Sequence, residues 1–396
     1  MSGRDLFCQP RRKCRGAALT FVFAGVLVAG AATGSFPESG QSGRNGPSGR
    51  GSTAVAPGAG AHHDDVRRAA AEAMADGKSP MEAAERAVSR SGDRWGAVYS
   101  EGEYEEFQEA LDGEYTGVGL WARRERDGRI EVTRVRPGSP AADAGIRRGD
   151  RLRTVDGGEV DGRPVTEVVS LLRGDADDAP AGTTVTLGLE RGTRAWTRTL
   201  RRARLSTDSV TARTLDGGAV TVVRVDAFTK GSADAVRTAV RQAPAAAGIV
   251  LDLRGNSGGL VTEAVGAASA FLDGGLVATY DVDGAQRALH AARGGDTARP
   301  LVTLVDGGTM SAAEMLTGAL QDRGRAVVIG SRTFGKGSVQ MPTTLPDGSV
   351  AELTVGHYRT PLGHAVDGRG ITPDLEAGSG ALARAETVLT GLGDRS

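Results

Sequence analysis

Three short stretches hold residue types whose chemistry could combine. In GGTMSAAEMLTGAL (307–320), Ser311 stands where a loop gives way to a helical pattern, among small residues, like a hydroxyl presented for attack. In FGKGSVQ (334–340), Lys336 lies between two glycines in a run without a carboxylate, and Gln340 follows four residues on. In DLRGNSGGL (252–260), Gly258 and Gly259 let the main chain approach a ligand closely. A serine nucleophile needs a group to take its proton, and histidine is the usual one. Of the five histidines, His62 and His63 fall in a tether-like region, His290 in a polar segment, His357 in a strand pattern and His364 in a Gly-rich turn. Neither of the last two has an adjacent acidic residue to orient it. A neutral lysine can do the same work. Free lysine titrates near ~10.4, so lowering it by about three units costs roughly 4 kcal/mol, usually through burial. Gln340 could orient the amine by accepting a hydrogen bond. The backbone N–H groups of Ala312 and of the 258–259 loop could hold the oxyanion of an attacked carbonyl.

Each stretch also has a plainer reading. Ser311 and Glu314 fit a capping box, and taken alone Ser311 reads first as a helix cap. The two roles are compatible, because a helix N-terminus stabilises negative charge developing nearby. Gly-Lys-Gly alone reads as a turn exposing a surface lysine, and the glycine pair as a strand-to-helix turn. Neither phosphate-loop spacing is present, so this is not a nucleotide cradle.

For the three loops to meet, the elements carrying them must end at one edge. GIVLDL, PLVTLVD and AVVIG are short apolar runs that read as buried strands, each leading into one of the loops, with helices following the first two. Alternating strands and helices imply an α/β layer with a mainly parallel sheet, whose sites form at the carboxyl ends of the strands. Ahead of them, residues 113–203 show short strands and turns, with alternating strands in GTTVTLGLERGTRAWTRTLRRA around Arg191-Gly192. Residues 64–88 suggest two Ala-rich helices around DGKSP, and EYEEFQEAL (103–111) a further helix.

The chain has 396 residues, 39% of them hydrophobic, and a formal net charge of -1. This length allows two or three domains, and the charge balance argues against a nucleic-acid partner. Arg4, Arg11, Arg12, Lys13 and Arg15 precede an apolar run at 17–32, and Ala29-Gly30-Ala31 offers a cleavage site. The order is that of a secretory signal, with an uncleaved membrane anchor as the alternative; 16 residues fall short of the ~20 that span a bilayer. An exported location follows: secreted, or attached to the outer face of the membrane. Cys8 and Cys14 both sit in this leader, so the exported part has no disulfide, thiol chemistry or cysteine–zinc site. Residues 33–61 are rich in Gly, Ser, Pro and Ala and read as a flexible linker.

Together the stretches resemble the carboxyl-terminal processing peptidases, or tail-specific proteases, serine peptidases with an embedded PDZ domain. The resemblance runs from about residue 93 to 374. It is carried by YSEGEYEEFQEALDGEYTGVG, PGSPAADAGIRRGDRL, LRGNSGG, the 25-residue spacing from Ser311 to Lys336, FGKGSVQ and GRGITPD. It implies an α/β fold: a mixed-sheet serine peptidase core with helices, an inserted PDZ domain and a short N-terminal helical segment. The expected division is 1–32 signal or anchor, 33–61 linker, 62–113 helical segment, 114–203 PDZ domain, 204–381 peptidase core and 382–396 C-terminal tail. It also implies Ser311 as nucleophile, Lys336 as general base and Gln340 as the residue orienting the lysine. The backbone of Ala312 and of Gly258 or Gly259 would form the oxyanion hole, with no metal or organic cofactor. The PDZ segment would bind the carboxylate of protein or peptide C-terminal tails through Gly117, Val118, Gly119 and Leu120, and can gate the cleft in this family. The chain departs from the family's usual small residues at Met310 and Ala313, and Met310 stands to crowd the cleft. Residues 64–88 could cover the sheet of their own chain or pack against a second subunit in a homo-oligomer. The rival readings are a non-catalytic PDZ scaffold on a peptidase-like core, and an acyl-transfer or hydratase enzyme on a related α/β core.

Overall fold

The computed structural model describes residues 59–125, 127–174, 179–282 and 285–393. The basic leader, its apolar run, both cysteines and all but the end of the linker lie outside the described residues. Among the described residues, no helix is long and apolar enough to cross a membrane. The chain divides into two compact units, one formed by Glu114–Ser206 and the other by the segments on either side of it.

The larger unit is built on a six-stranded sheet with the order Val210–Leu215, Val220–Val225, Gly248–Asp252, Leu301–Val305, Val327–Gly330 and Leu375–Glu376. All pairings are parallel except the first. Gly248–Asp252 and Leu301–Val305 are buried at every position, as strands covered on both faces must be. On one face, Val223, Val225, Ile249 and Leu251 pack with the helices Ser232–Gln242, Val261–Ala268 and Ala312–Asp322. On the other, Val222, Val250, Val302, Leu304 and Ile329 pack against Ala381, Ala385 and Leu389 of the helix Ala381–Gly393. The segment expected as a C-terminal tail is therefore largely a core helix. Its apolar residues recur every four positions, which aligns them on one face.

A second, antiparallel sheet runs Ala97–Tyr99, Val350–Arg359, Leu276–Val282, Ala285–His290, with Ser338–Thr344 also paired to Val350–Arg359. Besides its helices, the segment expected to be helical contributes the strand Ala97–Tyr99 to this sheet. The helices Ala59–Ala75 and Pro80–Ser91 lay Val66, Ala70, Ala84 and Val88 over Ala351 and Leu353. The Ala-rich helices thus cover a sheet of their own chain, and the first begins within the stretch read as linker.

The smaller unit is an antiparallel sheet in the order Leu120–Arg124, Ile130–Val135, Arg151–Val155, Thr184–Arg191, Arg194–Arg201, with the helices Pro140–Asp143 and Val165–Arg173. Val118, Ile130, Val132, Leu152, Val185 and Leu187 lie in its core. Arg202 is buried, and its guanidinium donates to the carbonyls of Leu171 and Leu172 at the end of the second helix.

Candidate active site

Gly248–Asp252, Leu301–Val305 and Val327–Gly330 are adjacent parallel strands, so the loops leaving their carboxyl ends emerge side by side. Asp306 ties the first two together: its Oδ1 accepts the N–H of Gly255 and of Gly308, each at 2.9 Å. The Thr309 hydroxyl donates to the Leu253 carbonyl at 2.9 Å, and the Phe334 N–H donates to the Thr309 carbonyl at 3.1 Å. All three loops are thereby joined through one short segment ahead of Ser311.

Ser311 immediately precedes the helix Ala312–Asp322 and has φ 51° and ψ -120°. Among the described residues, only Asp156 is another non-glycine residue with positive φ. Such a conformation costs ~1–3 kcal/mol and persists where surrounding structure enforces it. Here Glu314, fully buried, enforces it. Its Oε2 accepts the N–H of Ser311 at 2.9 Å and of Lys336 at 2.8 Å, while Oε1 accepts the Gly335 N–H at 2.7 Å and the Thr333 hydroxyl at 2.5 Å. Burial pushes the Glu314 carboxyl up from its ordinary value, opposed by those four donors. The Tyr358 hydroxyl donates to the carbonyls of Ser311 at 2.8 Å and Lys336 at 3.1 Å. One carboxylate and one phenol thus clamp the main chains of both residues. The sequence offered Glu314 only as a cap partner, and nothing in it singled out Tyr358.

Lys336 is 1% exposed, so the turn does not present it to solvent. Its Nζ sits 4.9 Å from the centre of the Trp95 ring. Burial pushes the amine down to about 8, against the opposing charges of Glu352 and Asp93. Gln340 is also buried; its Nε2 donates to the Trp95 carbonyl, and Oε1 has no hydrogen-bond partner among the described residues. Trp95 and Glu352 are site neighbours that sequence reading missed, because they come from a distant segment and from mid-strand.

The glycine loop lies against Ser311. Gly258 has φ 102°, and a Cβ there would stand 3.0 Å from Ser311 Cβ and 3.3 Å from the Ala312 nitrogen. The Gly258 N–H donates to Asn256 Oδ1 at 2.8 Å. Gly259 bridges Phe228, where a Cβ would meet the Phe228 carbonyl oxygen at 2.4 Å. Among the described residues, the N–H groups of Gly259 and Ala312 have no acceptor. Asn256, another residue that sequence reading passed over, shapes this loop by donating Nδ2 to the Val225 carbonyl at 3.0 Å. Beside Ser311 is a cavity of about 10 Å³ lined by Val261, Tyr280, Leu289, Met315, Val339 and Tyr358, among others. Met310 is buried and absent from that lining; its N–H donates to the Asn256 carbonyl at 2.9 Å. Among the described residues, no group of three or more His, Cys, Asp or Glu side chains gathers as a metal site would.

The model of peptidase family S41 matches residues 219–377, and a PDZ-domain model matches 131–190. The chain is 35% identical over 314 residues to carboxyl-terminal-processing peptidase 3 of the Arabidopsis thaliana chloroplast, covering 74% of this chain and 60% of that one. The chain belongs to peptidase family S41. A "Probable CtpA-like serine protease" of Staphylococcus haemolyticus is 33% identical over 76% of this S41 chain and 61% of its own. The S41 chain thus spans about three fifths of the length of these curated relatives. The solved photosystem II D1 C-terminal processing protease aligns at 30% identity over 78% of this chain and 86% of its own, with a TM-score of 0.49. An S41 protease structure from Bacteroides fragilis aligns at 19% identity over 80% and 91%, with a TM-score of 0.52, and shares the fold. The S41 match spans Ser311, Lys336, Gln340, Gly258 and Gly259.

The PDZ match stops short of Gly117, Val118, Gly119 and Leu120, which lie just ahead of it in the smaller unit. Val118 is buried in that unit's core, and Leu120 is half-buried at its margin. A Cβ at Gly119 would stand 2.3 Å from Ser139 Cβ, and its φ is 80°, so only glycine fits there. Leu120–Arg124 is an edge strand, with Val165–Arg173 packed nearby.

Proposed function

We propose that this S41 chain is a serine endopeptidase that cuts exported protein substrates near their C-terminal tails. Neutral Lys336 takes the Ser311 proton, and the alkoxide attacks the scissile carbonyl. The resulting oxyanion accepts hydrogen bonds from the N–H of Ala312 and of a loop glycine; the unoccupied N–H of Gly259 favours it over Gly258. Lys336 then protonates the leaving amine, and water releases the acyl-enzyme. Gln340 Oε1, without a partner, suits the role of accepting an N–H from the Lys336 amine. The observation that carries the reading is a wholly buried lysine with depressed proton affinity, its main chain clamped with that of a strained serine. The small apolar cavity beside Ser311 has room for about one water-sized group, so nothing larger than a methyl would enter it next to the cut. In the smaller unit, the edge strand Leu120–Arg124 offers unpaired main-chain groups to an extended tail. Export, with release or membrane attachment, rests on the N-terminal leader.

The test is cleavage of an unfolded protein with an apolar C-terminus by wild type, Ser311→Ala and Lys336→Ala. Wild type alone should cleave, with kcat/KM rising as pH passes through about 8 and Lys336 loses its proton. Equal cleavage by all three proteins would end the proposal.

A further inference from the structure

The strand Val350–Arg359 carries an unusual residue on its buried face. Glu352 is 1% exposed, and among the described residues neither of its carboxylate oxygens has a hydrogen-bond partner. Burying a carboxylate without donors is costly unless an opposite charge compensates it. In register, Glu352 lies opposite Ala97 on one side and Pro342 on the other; two residues along, Thr354 lies opposite Gln340. Residues two apart on a strand share a face, so the buried Glu352 and Gln340 and the half-buried Thr354 line the same layer. The loop before Ala97 brings Trp95 into it, joined to Gln340 through its carbonyl and lying beside the Lys336 amine. The opposite face of the strand, at Ala351 and Leu353, joins an apolar cluster with Val66, Ala70, Ala84, Ala87 and Val88 of the covering helices.

The titratable groups around this layer are few. Asp93 comes from the loop before Ala97–Tyr99, but its oxygens already accept the N–H groups of Trp95, Gly96 and Thr354 and the Thr354 hydroxyl. Tyr99 and Tyr104 are pushed up by burial and then by the charge of Glu352, with Glu103 acting on Tyr99 as well. Lys336 remains as the only cation acting on Glu352 among the described residues.

We infer that Glu352 is a positioning residue for the Lys336 base, its donor-free carboxylate compensating the ammonium that forms when the Ser311 proton arrives. This rests on the reading of Lys336 as the base. Burial pushes Glu352 up to about 7 and Lys336 down to about 8, each opposed by the other's charge. Above about 7 the carboxylate is ionised and holds the amine's proton affinity up. Without it the lysine would lose its proton at lower pH, be a weaker base and leave a less stabilised ammonium.

The composition makes this measurable, because the chain has only four lysines: Lys13, Lys78, Lys230 and Lys336. The full chain labelled with ¹³C at lysine Cε is titrated by NMR, the Lys336 signal being assigned by its loss in Lys336→Arg. In Glu352→Gln the Lys336 midpoint should fall by about one unit, the size of shift that a nearby opposite charge produces. The rising limb of kcat/KM should move to lower pH by the same amount, with Lys78 and Lys230 unchanged. Glu352→Asp keeps the charge and should hold the midpoint near wild type; a midpoint as low as that of Glu352→Gln would assign the shift to packing and overturn the proposal. So would a Lys336 midpoint unchanged in a Glu352→Gln protein that melts as wild type does. If the midpoint moves and the rate limb does not, the Glu352–Lys336 coupling stands and Lys336 is not the base. Should Glu352→Gln fail to fold, Glu352→Met fills a similar volume without charge and carries the same expectations.

Discussion

Glu314 shows how much of this site rests on a side chain that need never touch a substrate. Its two oxygens accept four donors, two of them the N–H groups of Ser311 and Lys336. Glu314→Gln replaces one acceptor oxygen by an NH₂ group that confronts two donors. Leaving two buried donors unmatched costs about 2–6 kcal/mol, at ~1–3 kcal/mol each. The expected result is a stability loss of that size in urea denaturation, together with a fall in kcat at temperatures where the variant is folded. An unchanged kcat in folded Glu314→Gln would show that the clamp does not position the reacting groups. Residue type is visible in a sequence, whereas the environment of a side chain is not. Ser311, Lys336 and Gln340 stood out by residue type and spacing, yet Gly-Lys-Gly looked like a surface turn. Trp95, which lies over the Lys336 amine, comes from some 240 positions earlier in the chain.

The loops are the elements that turn a sheet edge into a site, and their two adjacent glycines serve different purposes. A methyl at Gly258 points at Ser311 and the Ala312 nitrogen, whereas one at Gly259 runs into the Phe228 main chain. Gly258→Ala should therefore fold with modest destabilisation and lose at least 10-fold in kcat, because its Cβ crowds the space beside Ser311, the proposed nucleophile. Gly259→Ala should lower the melting temperature more, since it displaces a bridging strand segment. Thermal melts beside initial rates separate the two, and the reverse ranking would refute the assignment. Buried strands were legible in GIVLDL and PLVTLVD as continuous apolar runs, which both-face burial requires. The strand Ala97–Tyr99 was not, because three residues carry too little periodicity to distinguish from a loop.

For the whole molecule, the site is a cost to stability that the core must cover. Folding takes Lys336 from about 10.4 in the unfolded chain to about 8. Below about 8 both states carry the proton, and the folded state bears a buried charge worth up to ~3 kcal/mol. Between about 8 and 10.4 the unfolded chain binds more protons, so stability rises with pH. Because Lys336→Met alone would strip Glu352 of its compensating cation, the double variant Lys336→Met with Glu352→Gln should be more stable than wild type at pH 7 by ~3 kcal/mol or more, with the gap narrowing by pH 9.5. Urea midpoints at the two pH values test this, and a constant gap would contradict the burial cost. The tail capture proposed for the smaller unit has its own test. A substrate with an amidated C-terminus should show a several-fold higher KM than the free acid, with kcat less affected, and equal KM values would remove the carboxylate from recognition.

By itself, the sequence determined which side chains could react, the α/β and PDZ-type organisation, and the family, because residue type, spacing and apolar periodicity are local properties of the chain. The tertiary structure alone decided that Lys336 is desolvated, that Glu314 and Tyr358 clamp it to Ser311, and that, among the described residues, Gly259 rather than Gly258 has an unoccupied N–H and a donor-free Glu352 shares the layer of Gln340. These depend on burial and on hydrogen-bond partners far apart in sequence. Proton affinity and backbone strain follow from that surrounding density, which no local pattern encodes.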